Sequence, residues 1–318
     1  MMAPAFLDAA AGGLLGLVVG SFLNVVIHRL PRMMYRGWLV DATANLAPQP
    51  GIPSLWELVF GKDTKPPGLL EQDAQAALDQ VDALPPLTLA RPVSRCGHCG
   101  HEIRWYENIP LLSWLVLRGR CSACKAPIGL RYPAVELVTG ALFALCAWRF
   151  GMTPVAALWA AFCAILVCQF VIDLDTQLLP DSLNYLLLWL GLAGAAYGLT
   201  GVSPTSAIWG AIFGYLSLWI VYRLYRAATG KEGMGFGDFK LLAALGAWLG
   251  APFLLAIILV SSLVGAVLGI VLLLVGRLAN RHVPLSFGPF LAGAGLLCLI
   301  LGPATVRAWL PFAFPLGF

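Results

Sequence analysis

An all-α polytopic membrane protein, with about eight transmembrane helices and a cytoplasmic zinc-ribbon-like insert between helices 1 and 2, is the architecture this sequence predicts. Three observations carry that expectation. Hydrophobic residues make up 59% of the 318-residue chain and charged residues only 11%, whereas soluble domains carry about 25% charged residues. Apolar runs approaching the roughly 20 residues of one bilayer crossing recur along the chain. Almost all of the Lys and Arg residues fall on alternate connections between those runs. The net charge of +4 is dispersed between apolar runs instead of forming one patch, which argues against a nucleic-acid partner.

The runs lie near Ala9–Ile27, Pro133–Trp148, Thr153–Ile172, Ser182–Leu199, Pro204–Leu224, Phe239–Gly250, Pro252–Val275 and Phe287–Gly302. Asp8 precedes the first run, and Arg29 and Arg32 follow it. That charge order is the reverse of a signal peptide, so the run is read as a retained helix. Phe239–Gly250 is short for a full crossing. With eight crossings, the N-terminus, the turns at 149–152, 200–203 and 251, and the C-terminal tail share one side, which holds only Arg149 and Arg307. The other 18 of 20 basic residues lie on or beside 28–132, 173–181, 225–238 and 276–286. Positive charge accumulates on the cytoplasmic side, so these four segments are expected there.

The chain divides into a first transmembrane helix (1–30), a cytoplasmic insert (31–131) and a seven-helix membrane domain (132–318). Within the insert, 31–92 is proline-rich and is expected to be a flexible or loosely packed linker with one helix near Leu69–Leu84. The segment 93–131 contains Cys96-Gly-His-Cys99 and Cys121-Ser-Ala-Cys124. Two CxxC pairs at this separation are the pattern of a four-thiolate zinc ribbon, each pair supplying two soft ligands from one turn. Disulfides are the rival reading, but a cytoplasmic location is reducing. Four thiolates fill the tetrahedron, so the zinc would be structural. His98 and His101 are alternative ligands. Cys146, Cys163, Cys168 and Cys298 lie inside apolar runs and read as packing residues.

The acids are the chemically informative residues. Asp238 sits in Lys231-Glu-Gly-Met-Gly-Phe-Gly-Asp-Phe-Lys240, between two apolar runs, where a carboxylate is expensive unless it has a partner or a task. Gly235 and Gly237 permit close backbone approach there. The bland reading of Asp238 is an N-cap for the helix that follows. Two crossings separate it from Asp173, so both reach the same membrane edge. Asp175 lies two residues from Asp173 and cannot share its helix face; periodicity does not choose between them. Asp181, or Ser182, reads as an N-cap. Glu136 is placed to pair with Arg131 or to line the same cleft. Two close carboxylates cannot both ionise cheaply, so one keeps a proton while the other takes one from water. That is the machinery of aspartic proteolysis. The alternative for paired intramembrane acids is ion coupling in a transporter, but these acids lie at helix ends and the halves show no internal repeat.

Six stretches in order resemble the bacterial type IV prepilin peptidases, or leader peptidase/N-methyltransferases, which are intramembrane aspartic peptidases of the GxGD type. They are Gly20-Ser-Phe-Leu-Asn-Val-Val-Ile-His-Arg-Leu-Pro31, the CxxC pairs with Glu107-Asn-Ile-Pro110 between them, Arg131-Tyr-Pro-Ala-Val-Glu-Leu137, Asp173 to Asp181, Lys231 to Lys240, and Ser286-Phe-Gly-Pro289. The resemblance implies a bifunctional enzyme of the bacterial inner membrane. It would cut basic leaders from type IV prepilins and type II secretion pseudopilins at the cytoplasmic face, after a Gly and usually before a Phe. It would then methylate the new N-terminal amine with S-adenosylmethionine. Carried over, the catalytic pair is Asp173 and Asp238, with Gly235, Gly237, Asp175, Glu136 and Lys240 supporting, and Zn2+ on Cys96, Cys99, Cys121 and Cys124. Substrates and membrane lipid are the implied partners. No glycine-rich loop of the soluble methyl-donor folds is present; the first helix and the insert are the expected region for the donor. The stretch between Pro31 and Cys96 departs from the compact linker of the family.

Overall fold

The computed structural model describes residues 2–47, 51, 53–61, 63–275 and 286–314. Among these the chain forms helices and short turns, with no strand. The loop expected at 276–286 lies outside the described residues except for Ser286.

The helices are α1 (Met2–Leu46), α2 (Leu55–Phe60), α3 (Leu70–Asp82), α4 (Leu112–Val116), α5 (Arg131–Phe150), α6 (Pro154–Thr176), α7 (Asp181–Ala196), α8 (Pro204–Thr229), α9 (Phe236–Leu249), α10 (Leu254–Leu274), α11 (Gly288–Leu301) and α12 (Pro303–Trp309). Each of the eight apolar runs falls largely within a helix. Five described helical segments are long and apolar enough to cross a membrane: Ala5–Leu46, Arg131–Phe150, Pro154–Thr176, Pro204–Thr229 and Ala251–Leu274. A sixth span results if α11 and α12, bent by 109° at their junction, count as one. The runs that became α7 and α9 form helices of 16 and 14 residues.

Contacts divide the chain into two units: Met1–Asn24 with Trp105–Phe318, and Val25–Arg104. In the first unit, α1 packs its glycines on α5. A Cβ at Gly16 would strike Phe143 and Thr139, and one at Gly20 would come within 2.7 Å of Glu136 Cα. The long helices start where their sequence signals say they should. Thr153 and Ser203 each cap a helix from the side chain, and Pro154 and Pro204 occupy its first turn. Helix α6 ends at Gln177 and α8 at Gly230, both left-handed (φ 55° and 68°) and both returning their N–H to the last turn.

Helix α9 is the best-buried element, with Phe239, Leu241, Leu242, Ala244, Leu245, Ala247 and Trp248 all at 0% exposure. It lies directly on α8, where Gly210 meets Gly246 and Gly214 meets Leu242 and Ala243 backbone to backbone. Small residues allow that approach, which maximises dispersion where lipid supplies no hydrophobic drive. On its other flank Trp248 donates from Nε1 to Leu187 O of α7 at 2.7 Å, and Gly191 makes room for the indole.

In the second unit the first helix does not stop near Ile27 as the sequence suggested, but continues through Pro31 to Leu46. Proline deletes one backbone bond, while side chains on either side of it anchor the helix. Arg29 donates to Thr88 O, Leu89 O and Pro92 O at 2.7–3.2 Å, and Arg36 donates to Val81 O and Pro85 O at 2.8 and 2.7 Å. Residues 81–92 are therefore held by two guanidinium groups instead of hanging loosely, and the expected Leu69–Leu84 helix is α3, which buries Ala74 and Val81, two turns apart on one face.

Candidate active site

Asp173 lies in the last turn of α6 and Asp238 in the first turn of α9, 2% and 8% exposed. The two carboxylates interact electrostatically. Asp238 is not a cap: Gly235 occupies that position and no side chain caps α9. Its carboxylate sits instead at the third helical position, where the N-terminal end of the helix dipole favours negative charge. Asp173 is at the opposite kind of end, and its charge is supported by direct donors. Ser286 O–H donates to Asp173 Oδ2, and the backbone N–H of Gly288 donates to the same carboxylate.

Glycines make this geometry possible at two points. A Cβ at Gly288 would overlap Asp173 Oδ2, so the first turn of α11 can approach the acid only without a side chain. A Cβ at Gly237 would come within 2.7 Å of Leu179 Cβ, whereas Gly235 has nothing within 4 Å of where its Cβ would stand. Of the two motif glycines, Gly237 answers to packing and Gly235 does not.

The remaining acids are placed differently from one another. Asp175 is half-exposed and forms an ion pair with Arg131. Glu136 therefore does not pair with Arg131; it accepts from Leu111 N–H at 2.8 Å and from Ser21. The Ser21 hydroxyl also lies 3.5 Å from Asn108 Oδ1, and Asn24 donates to Tyr132 O at 3.1 Å, so Glu136 belongs to a polar seam between α1, α5 and the turn at 105–111. Asp181 is not an N-cap either. Pro180 takes that position without a side-chain bond, and Asp181 receives Lys240 Nζ at 2.7 Å on both oxygens. Lys240 also lies 5.5 Å from the centre of the Tyr185 ring. Its ammonium is thus engaged beside the acid pair. Cys146, Cys163, Cys168 and Cys298 are buried in the helices, as packing residues should be.

The two cysteine knuckles have the same local construction. In one, Cys96 N–H donates to His101 O at 2.9 Å, Gly100 N–H returns to Cys96 O at 3.0 Å, and Arg95 and Glu102 form an antiparallel bridge. In the other, Cys121 N–H donates to Ala126 O at 2.8 Å, Lys125 N–H returns to Cys121 O at 3.1 Å, and Arg120 bridges Pro127. The residue after each second cysteine, Gly100 or Lys125, is left-handed (φ 72° and 60°). The four cysteines make a group that could hold a metal ion. Four sulfur donors on paired turns are a complete tetrahedral set.

Sequence reasoning named Ser286-Phe-Gly-Pro289 as a motif but gave Ser286 and Gly288 no task. Only the fold shows that they feed Asp173. Leu179 carried no signal at all.

Fold and site together define a polytopic helical membrane protein built around two buried, interacting carboxylates. The comparisons with known proteins agree on which one. Residues 14–150 match the model of the bacterial peptidase A24 N-terminal domain, and residues 160–270 match that of the type IV leader peptidase family. The chain is 48% identical to the prepilin leader peptidase/N-methyltransferase of Pseudomonas aeruginosa, over 94% of this chain and 92% of that protein. The proteins of the same name from Aeromonas hydrophila and Neisseria gonorrhoeae are 46% and 41% identical, over 93% and 92% of this chain and 92% and 91% of theirs. No solved structure matches. The chain belongs to the prepilin leader peptidase/N-methyltransferase family.

Proposed function

We propose that this protein cleaves the leader from type IV prepilins and pseudopilins by an aspartic mechanism at the cytoplasmic face of the bacterial inner membrane, and then N-methylates the exposed residue. The observation that carries the peptidase reading is the meeting of Asp173 and Asp238, each buried and each in the field of the other. Ser286, just before α11, and the N–H of Gly288 at its start both donate to Asp173, so Asp173 is assigned the general base and Asp238 the general acid. Asp173 takes a proton from the attacking water as the oxygen bonds to the scissile carbonyl carbon. Asp238 gives its proton to the carbonyl oxygen, and the tetrahedral adduct collapses as Asp173 passes the proton taken from water to the departing amine while Asp238 regains its own from the hydroxyl that becomes the product carbonyl. Gly235 and Gly237 shape the approach to Asp238. Lys240 and Asp175 act through their partners, Asp181 and Arg131, by fixing the ends of α9, α7, α6 and α5 around the pair.

Cys96, Cys99, Cys121 and Cys124 would hold Zn2+ in a closed structural site, with no open position for chemistry. S-Adenosylmethionine supplies the electrophilic methyl group for the second activity, and the new N-terminal amine of the cleaved substrate is its acceptor. The names of the relatives support this second activity. Basic residues in 28–132 and in or beside 225–238 support the cytoplasmic placement of the acids, and the apolar helix of a prepilin would lie in the lipid beside them.

The test is mass spectrometry of a purified prepilin after incubation with the detergent-solubilised enzyme, with and without S-adenosylmethionine. The expected products are a leaderless chain in both cases and one added methyl group only with the donor. An uncut prepilin in the presence of folded enzyme would return the acid pair to the transporter reading.

A further inference from the structure

The link between α6 and α7, residues 177–180, places one apolar side chain at the acid pair. A Cβ at Gly237 would stand 2.7 Å from Leu179 Cβ and 3.3 Å from its Cδ1. A Cβ at Gly288 would stand 2.9 Å from that same Cδ1 while overlapping Asp173 Oδ2. One methyl group of Leu179 thus sits between the glycine that precedes Asp238 and the glycine that donates to Asp173. Leu179 is half-buried, and the acids are buried.

The link is tied at both ends to the helices that bear the acids. Gln177 N–H donates to Asp173 O at 2.9 Å, and its left-handed backbone turns the chain out of α6. Pro180 O accepts Leu183 N–H and Asn184 N–H at 3.1 Å, and Asp181, the next residue, is bound by Lys240, two residues beyond Asp238. Leu179 is therefore held against the site and has little freedom to swing aside.

We infer that Leu179 is a specificity-determining residue: its side chain fills the space beside Asp173 and Gly237 that a substrate Cβ next to the scissile carbonyl would need. A residue without a Cβ fits there, and a larger one overlaps packed hydrocarbon. The inference rests on the peptidase reading above. It assigns the restriction to a side chain that can be trimmed.

The experiment compares two full-length prepilins that differ only in Gly or Ala immediately before the scissile bond, with initial cleavage rates read by mass spectrometry. One methyl group in a closed pocket changes kcat/KM by about 10- to 200-fold. The wild-type enzyme is expected to prefer the Gly substrate by a factor in that range. Leu179→Ala is expected to reduce the Gly/Ala ratio by about 10-fold or more, chiefly through faster cutting of the Ala substrate. Leu179→Val, which shortens the side chain by one methylene, is expected to give an intermediate ratio and serves where the alanine variant does not fold. A Gly/Ala ratio that stays at the wild-type value in a folded variant overturns the role of Leu179 while leaving the peptidase reading intact. A wild-type enzyme that cuts neither substrate overturns both.

Discussion

Glu136 and Asp173 are both carboxylates buried near the polar ends of apolar helices, 8% and 2% exposed, yet their surroundings differ in kind. Glu136 meets donors from two other segments: the N–H of Leu111, a non-glycine residue at φ 58°, and the hydroxyl of Ser21. Its lone pairs are spent on holding a turn in an unfavourable backbone conformation. Asp173 also meets donors, but a second acid, Asp238, is close enough to interact with its charge. A buried acid matched only with donors is an architectural element, whereas one matched with another acid retains a proton to exchange. Burial alone would not have separated the two.

The sharpest way to break this contrast is to neutralise each acid without changing its shape. Asp173→Asn and Asp238→Asn are each expected to lower leader cleavage by about 10²- to 10⁴-fold, with the proteins still folded by circular dichroism. Cleavage near the wild-type rate in either would remove the paired-acid mechanism. Glu136→Gln, which keeps an acceptor for Leu111 N–H, should leave cleavage within a few-fold of wild type, and a loss as large as that of the aspartates would erase the distinction.

Gly288→Ala tests whether donor geometry at Asp173 matters, because the added methyl would displace the carboxylate. A displacement of about 1 Å costs roughly 100-fold in rate. The expected signature is a fall in kcat with little change in thermal stability. For the architectural acid, Glu136→Ala leaves Leu111 N–H without its partner and is expected to lower stability by about 1–3 kcal/mol, read from denaturation in detergent. The smallest effect on cleavage is expected from the cysteines. Replacing Cys96 and Cys121 together with Ser should remove most of the bound zinc by elemental analysis and lower the resistance of the insert to proteolysis. Unchanged zinc would count against the ribbon.

Much of this molecule could be read before its structure was described, and the failures have a common cause. The eight apolar runs became helices because burying or embedding a long apolar segment dominates every local preference. The knuckles were legible because CxxC spacing encodes a turn. The first apolar run ends at Ile27, yet the helix runs on because Arg29 and Arg36 make several bonds with carbonyls that are about 45 to 63 residues away in sequence. Asp181 reads as a cap by position, but its partner, Lys240, is 59 residues downstream. Asp173 and Asp175 are equivalent to any periodicity argument, and only the packing of α6 against α11 buries the first and leaves the second to Arg131. Run length and CxxC spacing were read correctly, whereas the cap readings of Asp181 and Asp238 were not. What was missed depended on which distant backbone or side chain arrives at the same place.

Helix α9 has one more consequence. Fourteen residues rise about 21 Å, well short of the roughly 30 Å of hydrocarbon in a bilayer. A helix of that length cannot join the two headgroup layers by itself, and because α9 is enclosed by other helices it is they, not lipid, that cover its apolar side chains. Helix α11 has the same length. Peptide hydrolysis consumes water, and a helix that stops short of a headgroup layer leaves room for water beyond its end.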